Sequence, residues 1–133
     1  MLTHIKNKHR ITKRITKEIN MSDQQTETLE RIKEQVTGNA VVLYMKGTPQ
    51  MPSCGFSGRA AQALASTEEK FAFVNILADP MIFEHLPKFQ DWPTFPQLYI
   101  DGELQGGCDI TEELAESGEL KTLMEAANKK SQA

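Results

Sequence analysis

The feature that most constrains this chain is the run Ala40-Val41-Val42-Leu43-Tyr44-Met45, together with the loop into which it opens. An unbroken β-prone run of this length predicts a strand buried on both faces, so it demands a layer of structure on either side. Lys46-Gly47-Thr48-Pro49-Gln50-Met51-Pro52-Ser53 then breaks the chain into a loop with two prolines. An alanine-rich helix is predicted from about residue 55 to 66. Cys54 therefore falls at a strand–loop–helix junction. A thiol there faces the unpaired N–H groups and positive end of the helix, which lower a cysteine pKa. Lys46, at the other end of the loop, adds positive charge. The competing reading is a packed structural cysteine, yet Pro52-Ser53-Cys54-Gly55 lacks the character of a core segment.

The remaining elements come from periodicity and punctuation. From Thr26, Leu29, Ile32 and Val36 recur at helical spacing, and Gly38 supplies a stop. Phe71-Ala72-Phe73-Val74-Asn75-Ile76 reads as a second strand. Asp79-Pro80 places a cap before a first-turn proline and opens a helix towards Gln90, which Pro87 is expected to kink or shorten. Residues 91–96 form a loop and 97–100 a third strand. Asp101-Gly102 is a tight turn into a fourth strand over 103–106. Asp109-Ile110-Thr111-Glu112 reads as a capping box for the next helix, and Gly118 separates that helix from a last one over about 119–129. The order α-β-α-β-α-β-β-α-α combines a parallel crossover pair with a terminal hairpin. It predicts the α/β class and a thioredoxin-like fold, a central four-stranded mixed sheet with helices on both faces.

Charge divides the chain. Residues 1–20 hold six Lys/Arg (Lys6, Lys8, Arg10, Lys13, Arg14, Lys17) against Glu18, and residues 21–133 hold nine basic and 17 acidic side chains. The second part, at net −8, is a poor partner for nucleic acid, which needs clustered Lys/Arg. No apolar run approaches the roughly 20 residues that cross a bilayer, so no membrane partner is expected. Within the leader, Ile11, Ile15 and Ile19 repeat every four residues and would give a weakly amphipathic helix. Three readings compete for residues 1–20: a transit peptide, against which the lack of serine counts, a disordered basic tail, or upstream sequence before a start at Met21. A secretory signal is excluded, because no uninterrupted apolar core succeeds the charges.

Cys54 and Cys108 are the only cysteines, too few for a closed structural zinc site without other ligand clusters. His4, His9 and His85 are each expected at the surface rather than as ligands. Without a secretion signal the compartment is read as cytoplasmic and reducing. A free thiol there is more often catalytic or metal-binding than a staple.

Three motifs, in order and at the spacing of one fold, now carry a resemblance. Cys54-Gly55-Phe56-Ser57, Trp92-Pro93-Thr94-Phe95-Pro96-Gln97 and Gly106-Gly107-Cys108-Asp109 closely resemble the monothiol glutaredoxin family in its single-domain, bacterial-type members. The likeness covers about residues 24–128, within a domain taken as 21–133. It implies that Cys54 is the active thiol and that Ser57 stands where dithiol relatives keep a resolving cysteine. A hydroxyl closes no disulfide, so two-thiol exchange within this motif is unavailable. Cys108 would be either a distant resolving partner or a packed residue.

The resemblance further implies a glutathione site formed by Lys46, Cys54, Phe56, Trp92, Thr94, Phe95, Pro96, Gly107, Cys108 and Asp109. Glutathione would lie extended, its backbone against Phe95 before a cis Pro96. Its γ-glutamyl carboxylate would meet the N–H groups of Cys108 and Asp109 at a helix start, and Lys46 would neutralise the glycyl carboxylate. Gly106 and Gly107 leave room for that approach, with a plain turn as the bland reading, and Trp92 is equally compatible with a hydrophobic lid. One departure stands out: Phe83 occupies the place of a frequent arginine in the third helix, which predicts weaker glutathione retention, with Lys88 as a possible substitute cation.

A 2Fe–2S cluster wants four thiolates, and one chain with one glutathione supplies two. Family membership thus implies a cluster-bridged homodimer, with Cys54 as the metal ligand and BolA-like proteins and apo iron–sulfur proteins as partners. The leading expectation is a cluster carrier. A glutathione-dependent oxidoreductase acting on mixed disulfides is the alternative, and an adaptor or iron sensor is a third.

Overall fold

The computed structural model describes residues 22–132; the leader expectations for residues 1–20 fall outside them. The chain runs α1 (Asp23–Gly38), β1 (Val41–Met45), α2 (Gly55–Ser66), β2 (Ala72–Asn75), a 3-10 turn (Ile76–Ala78), α3 (Pro80–Phe89), β3 (Gln97–Ile100), β4 (Glu103–Gly106), α4 (Cys108–Ser117) and α5 (Glu119–Gln132). The strands form one sheet in the order β2-β1-β3-β4. β1 pairs parallel with β2 and antiparallel with β3, and β3 pairs antiparallel with β4. This is the expected thioredoxin-like arrangement.

The continuous apolar run works as its pattern requires. All five residues of β1 are buried. Val42 and Tyr44 point into one core with Leu29, Ile32 and Val36 of α1 and Ile82, Leu86 and Phe89 of α3. Val41, Leu43 and Met45 point into the other, with Ala60, Ala61 and Leu64 of α2 and Leu120, Met124 and Ala127 of α5. Alternation along a single strand thus feeds two cores, and the one hydroxyl on β1, that of Tyr44, donates to Gln35 Oε1 at 2.7 Å. Truncating a residue such as Leu64, fully buried, would cost about 2–5 kcal/mol.

Several boundaries differ from the sequence reading, each for a local reason. α1 starts before Thr26, because Ser22 caps it in a reciprocal box with Gln25. β2 is shorter than residues 71–76 and only half-buried: it lies at the sheet edge with Phe73 exposed, and Ile76 enters the 3-10 turn. Asp109 is not a cap. α4 begins at Cys108 with Gly107 as its cap, and Glu112 pairs with Arg59 instead. His85 is buried rather than at the surface, stacked on Phe89, and its Nδ1 has no hydrogen-bond partner among the described residues. Its position one turn before Phe89 on the core face of α3 carries it inward. Pro87 is accommodated inside α3. The Asp101-Gly102 turn has positive φ at both residues, 54° and 78°, as a two-residue hairpin needs. No helix among the described residues is long and apolar enough to cross a membrane.

Candidate functional site

The loop after β1 is closed on itself. Thr48 and Met51 exchange backbone hydrogen bonds of 3.2 and 3.1 Å, and the Ser53 N–H donates to the Lys46 carbonyl at 2.9 Å. Gly47 is the hinge of this closure, with φ +91° and a position where a Cβ would lie 2.6 Å from two backbone atoms. The Asn75 side-chain oxygen accepts from the Gly47 N–H at 2.9 Å and from the Leu77 N–H at 3.0 Å, tying the loop to the end of β2. Ser57, fully buried, accepts the Lys46 N–H at 3.0 Å. The hydroxyl that replaces a second thiol is therefore a strut between helix and loop.

Cys54 is the cap residue of α2, with extended backbone and a half-buried thiol. Its pKa is lowered chiefly by the Ser57 backbone N–H. The Phe56 N–H, the Ser57 hydroxyl and the Lys46 charge add to this, against partial desolvation. A thiolate at this position is held by the open first turn of a helix.

All ten residues of the expected glutathione set line one groove of about 690 Å³. Lys46 and Cys54 come from the β1–α2 loop, Phe56 from α2, Trp92 to Pro96 from the α3–β3 loop, and Gly107, Cys108 and Asp109 from the start of α4. The Phe95–Pro96 bond is cis. Phe83, Pro87, Pro93 and Ile110 complete the lining. Of these, Phe83 and Pro87 were legible as a pair: a spacing of four puts both on one face of α3. Gly107 sits close beneath the groove, where a Cβ would come 3.2 Å from the Pro96 carbonyl and 3.8 Å from the Trp92 indole nitrogen. That indole N–H is buried and has no hydrogen-bond partner among the described residues.

Cys108 differs from Cys54 although both open helices. It is buried, and burial is the main cause of its raised pKa. The thiol donates to Glu112 Oε1 at 3.5 Å, and the same carboxylate, which opposes ionisation of the thiol, is forked by Arg59 of α2. Arg59 and Glu112 are the residues that sequence reasoning missed here, since 53 positions separate them.

Known proteins agree with this geometry. The glutaredoxin family profile matches residues 41–105. Glutaredoxin 4 of Buchnera aphidicola is 57% identical over 103 residues, covering 77% of this chain and 95% of that protein. Glutaredoxin 4 of Escherichia coli K12 is 56% identical over 97 residues, covering 73% and 84%. The solution structure of reduced poplar apo GrxS14 superposes with a TM-score of 0.61 at 49% identity, covering 77% of this chain and 91% of that one. The chain belongs to the glutaredoxin family. With serine at position 57 it is a monothiol member, similar to the bacterial proteins named glutaredoxin 4.

Proposed function

We propose that this protein carries a 2Fe–2S cluster between two copies of itself, each contributing Cys54 and a bound glutathione, and passes it to apo-proteins. The observation that carries this is the pairing of an accessible, pKa-lowered Cys54 with a buried Ser57 hydroxyl. One good thiolate ligand is present and its immediate resolving partner is not. Four thiolates then require two chains and two glutathiones. Glutathione would run along the groove. Its γ-glutamyl carboxylate would reach the Cys108 and Asp109 N–H groups, its backbone Phe95, and its glycyl carboxylate Lys46. Trp92 and Thr94 would wall it, and Phe56 would flank the sulfur. The setting is a reducing, cytoplasmic one, with apo iron–sulfur proteins and BolA-like proteins as partners.

Protein purified without oxygen in the presence of glutathione is expected to be brown and dimeric, and Cys54→Ser to be colourless and monomeric. Colourless, monomeric wild type under those conditions overturns the proposal.

The exposure of Cys54 also favours a second reading, in which its thiolate attacks the glutathione sulfur of a mixed disulfide and a second glutathione regenerates it. Robust Cys54-dependent turnover of a glutathionylated substrate by cluster-free protein would place this activity first.

A further inference from the structure

Lys46 is fixed at both ends of its peptide, the N–H to Ser57 Oγ and the carbonyl to the Ser53 N–H. Its side chain alone is adjustable, and it crosses the groove to α3. There Nζ sits 5.6 Å from the centre of the Phe83 ring. The ring is itself oriented by an edge contact with Phe95, 5.8 Å between centres at 69°. Phe83 remains 39% exposed, so the contact lies at the groove's open side. Among the described residues lining the groove, Lys46 is the sole Lys or Arg. This cation for an anionic ligand end is thus parked on an aromatic face.

We propose that Phe83 is a positioning residue for Lys46. Its ring holds the ammonium at the groove mouth, so that the site selects thiol peptides with a free C-terminal carboxylate. An ammonium over a ring face is attracted by the ring quadrupole through one side, which leaves its other N–H bonds available to a carboxylate. The ring thereby restrains a side chain that would otherwise lose much rotamer freedom on pairing with a carboxylate. The inference rests on the proposed glutathione site and adds the residue that sets preference at the glycyl end.

Calorimetry under reducing conditions with S-methylglutathione and its C-terminal amide tests this. The free acid should bind more tightly than the amide. Phe83→Leu, which keeps apolar bulk and removes the quadrupole, should lower the acid-to-amide affinity ratio about threefold. Phe83→Tyr should retain the wild-type preference. In parallel, the Lys46 ε-methylene protons should show an upfield ring-current shift that is lost in Phe83→Leu. An acid-to-amide ratio unaltered by Phe83→Leu, or a Lys46 resonance without that shift, overturns the inference while leaving glutathione binding intact. If wild type binds neither ligand, the glutathione reading fails and the claim of ligand selection falls with it.

Discussion

Two helices of this protein begin at a cysteine, and the two thiols are driven in opposite directions. Cys54 caps α2 from a closed, proline-bearing loop; its sulfur is half open and meets N–H donors, a hydroxyl and Lys46, so its pKa falls. Cys108 opens α4 under a glycine cap; its sulfur is buried against Glu112, so its pKa rises. Lying at a helix N-terminus is common to both and does not by itself decide reactivity. Cys54, at the cap position, is lowered chiefly by the first-turn N–H groups of Ser57 and Phe56, whereas Cys108, one place inside its helix, is raised chiefly by burial. What decides it is whether the remaining neighbours are donors or a carboxylate, and whether water reaches the sulfur.

The pH linkage has opposite signs at the two sites. Cys54 has a folded pKa below its unfolded value. It adds stability that is fully present above the unfolded value and is lost as pH falls through the lowered one. Cys108 has a raised folded pKa, so its contribution is present below the unfolded value and is lost as pH rises through the raised one.

The largest expected effect tests the contrast directly. Near neutral pH, iodoacetamide should label Cys54 on the order of a hundredfold faster than Cys108, read by peptide mass spectrometry. Comparable rates would break the comparison. Next in size, Ser57→Ala should cost about 2 kcal/mol in denaturant unfolding, since it strands the Lys46 N–H. It should also raise the alkylation inflection of Cys54 alone. A smaller effect is expected from Glu112→Gln, which removes the carboxylate opposing ionisation at Cys108. Labelling of Cys108 should rise by about threefold while Cys54 is unmoved. Smallest of all, Cys108→Ser should leave Cys54 labelling within about twofold of wild type, since the shift of each thiol is set by other groups. A larger change, or a Cys54–Cys108 disulfide found in mildly oxidised wild type, would give Cys108 the resolving role left open by the sequence.

Legibility tracked the range of the interactions. The Cys54 junction was readable because its parts are contiguous: a buried strand, two prolines, a cysteine and an alanine-rich helix within 27 residues, 40–66. Nine of the ten expected groove residues were readable from three short motifs and Lys46 from the loop before Cys54, and the structure places all ten on one cavity. The environment of Cys108 was not readable. It depends on Arg59, which reaches Glu112 from another helix. His85 likewise looked solitary in one dimension and is buried on α3, its ring stacked on Phe89. The misplaced capping box at Asp109 has the same origin. Gly107 already starts the helix, and Glu112 finds a stronger charged partner than a cap.

Residue order by itself therefore determined the strand that splits the core in two, the position of Cys54 at a helix start, and the absence of a second thiol at Ser57. Those are properties of hydrophobic period and covalent sequence. Only the tertiary structure decided that Ser57 is a buried strut, that Phe83 receives the ammonium of Lys46, and that Cys108 is held as a thiol. Each of these depends on desolvation and on charges brought together from distant parts of the chain, and local pattern carries no record of either.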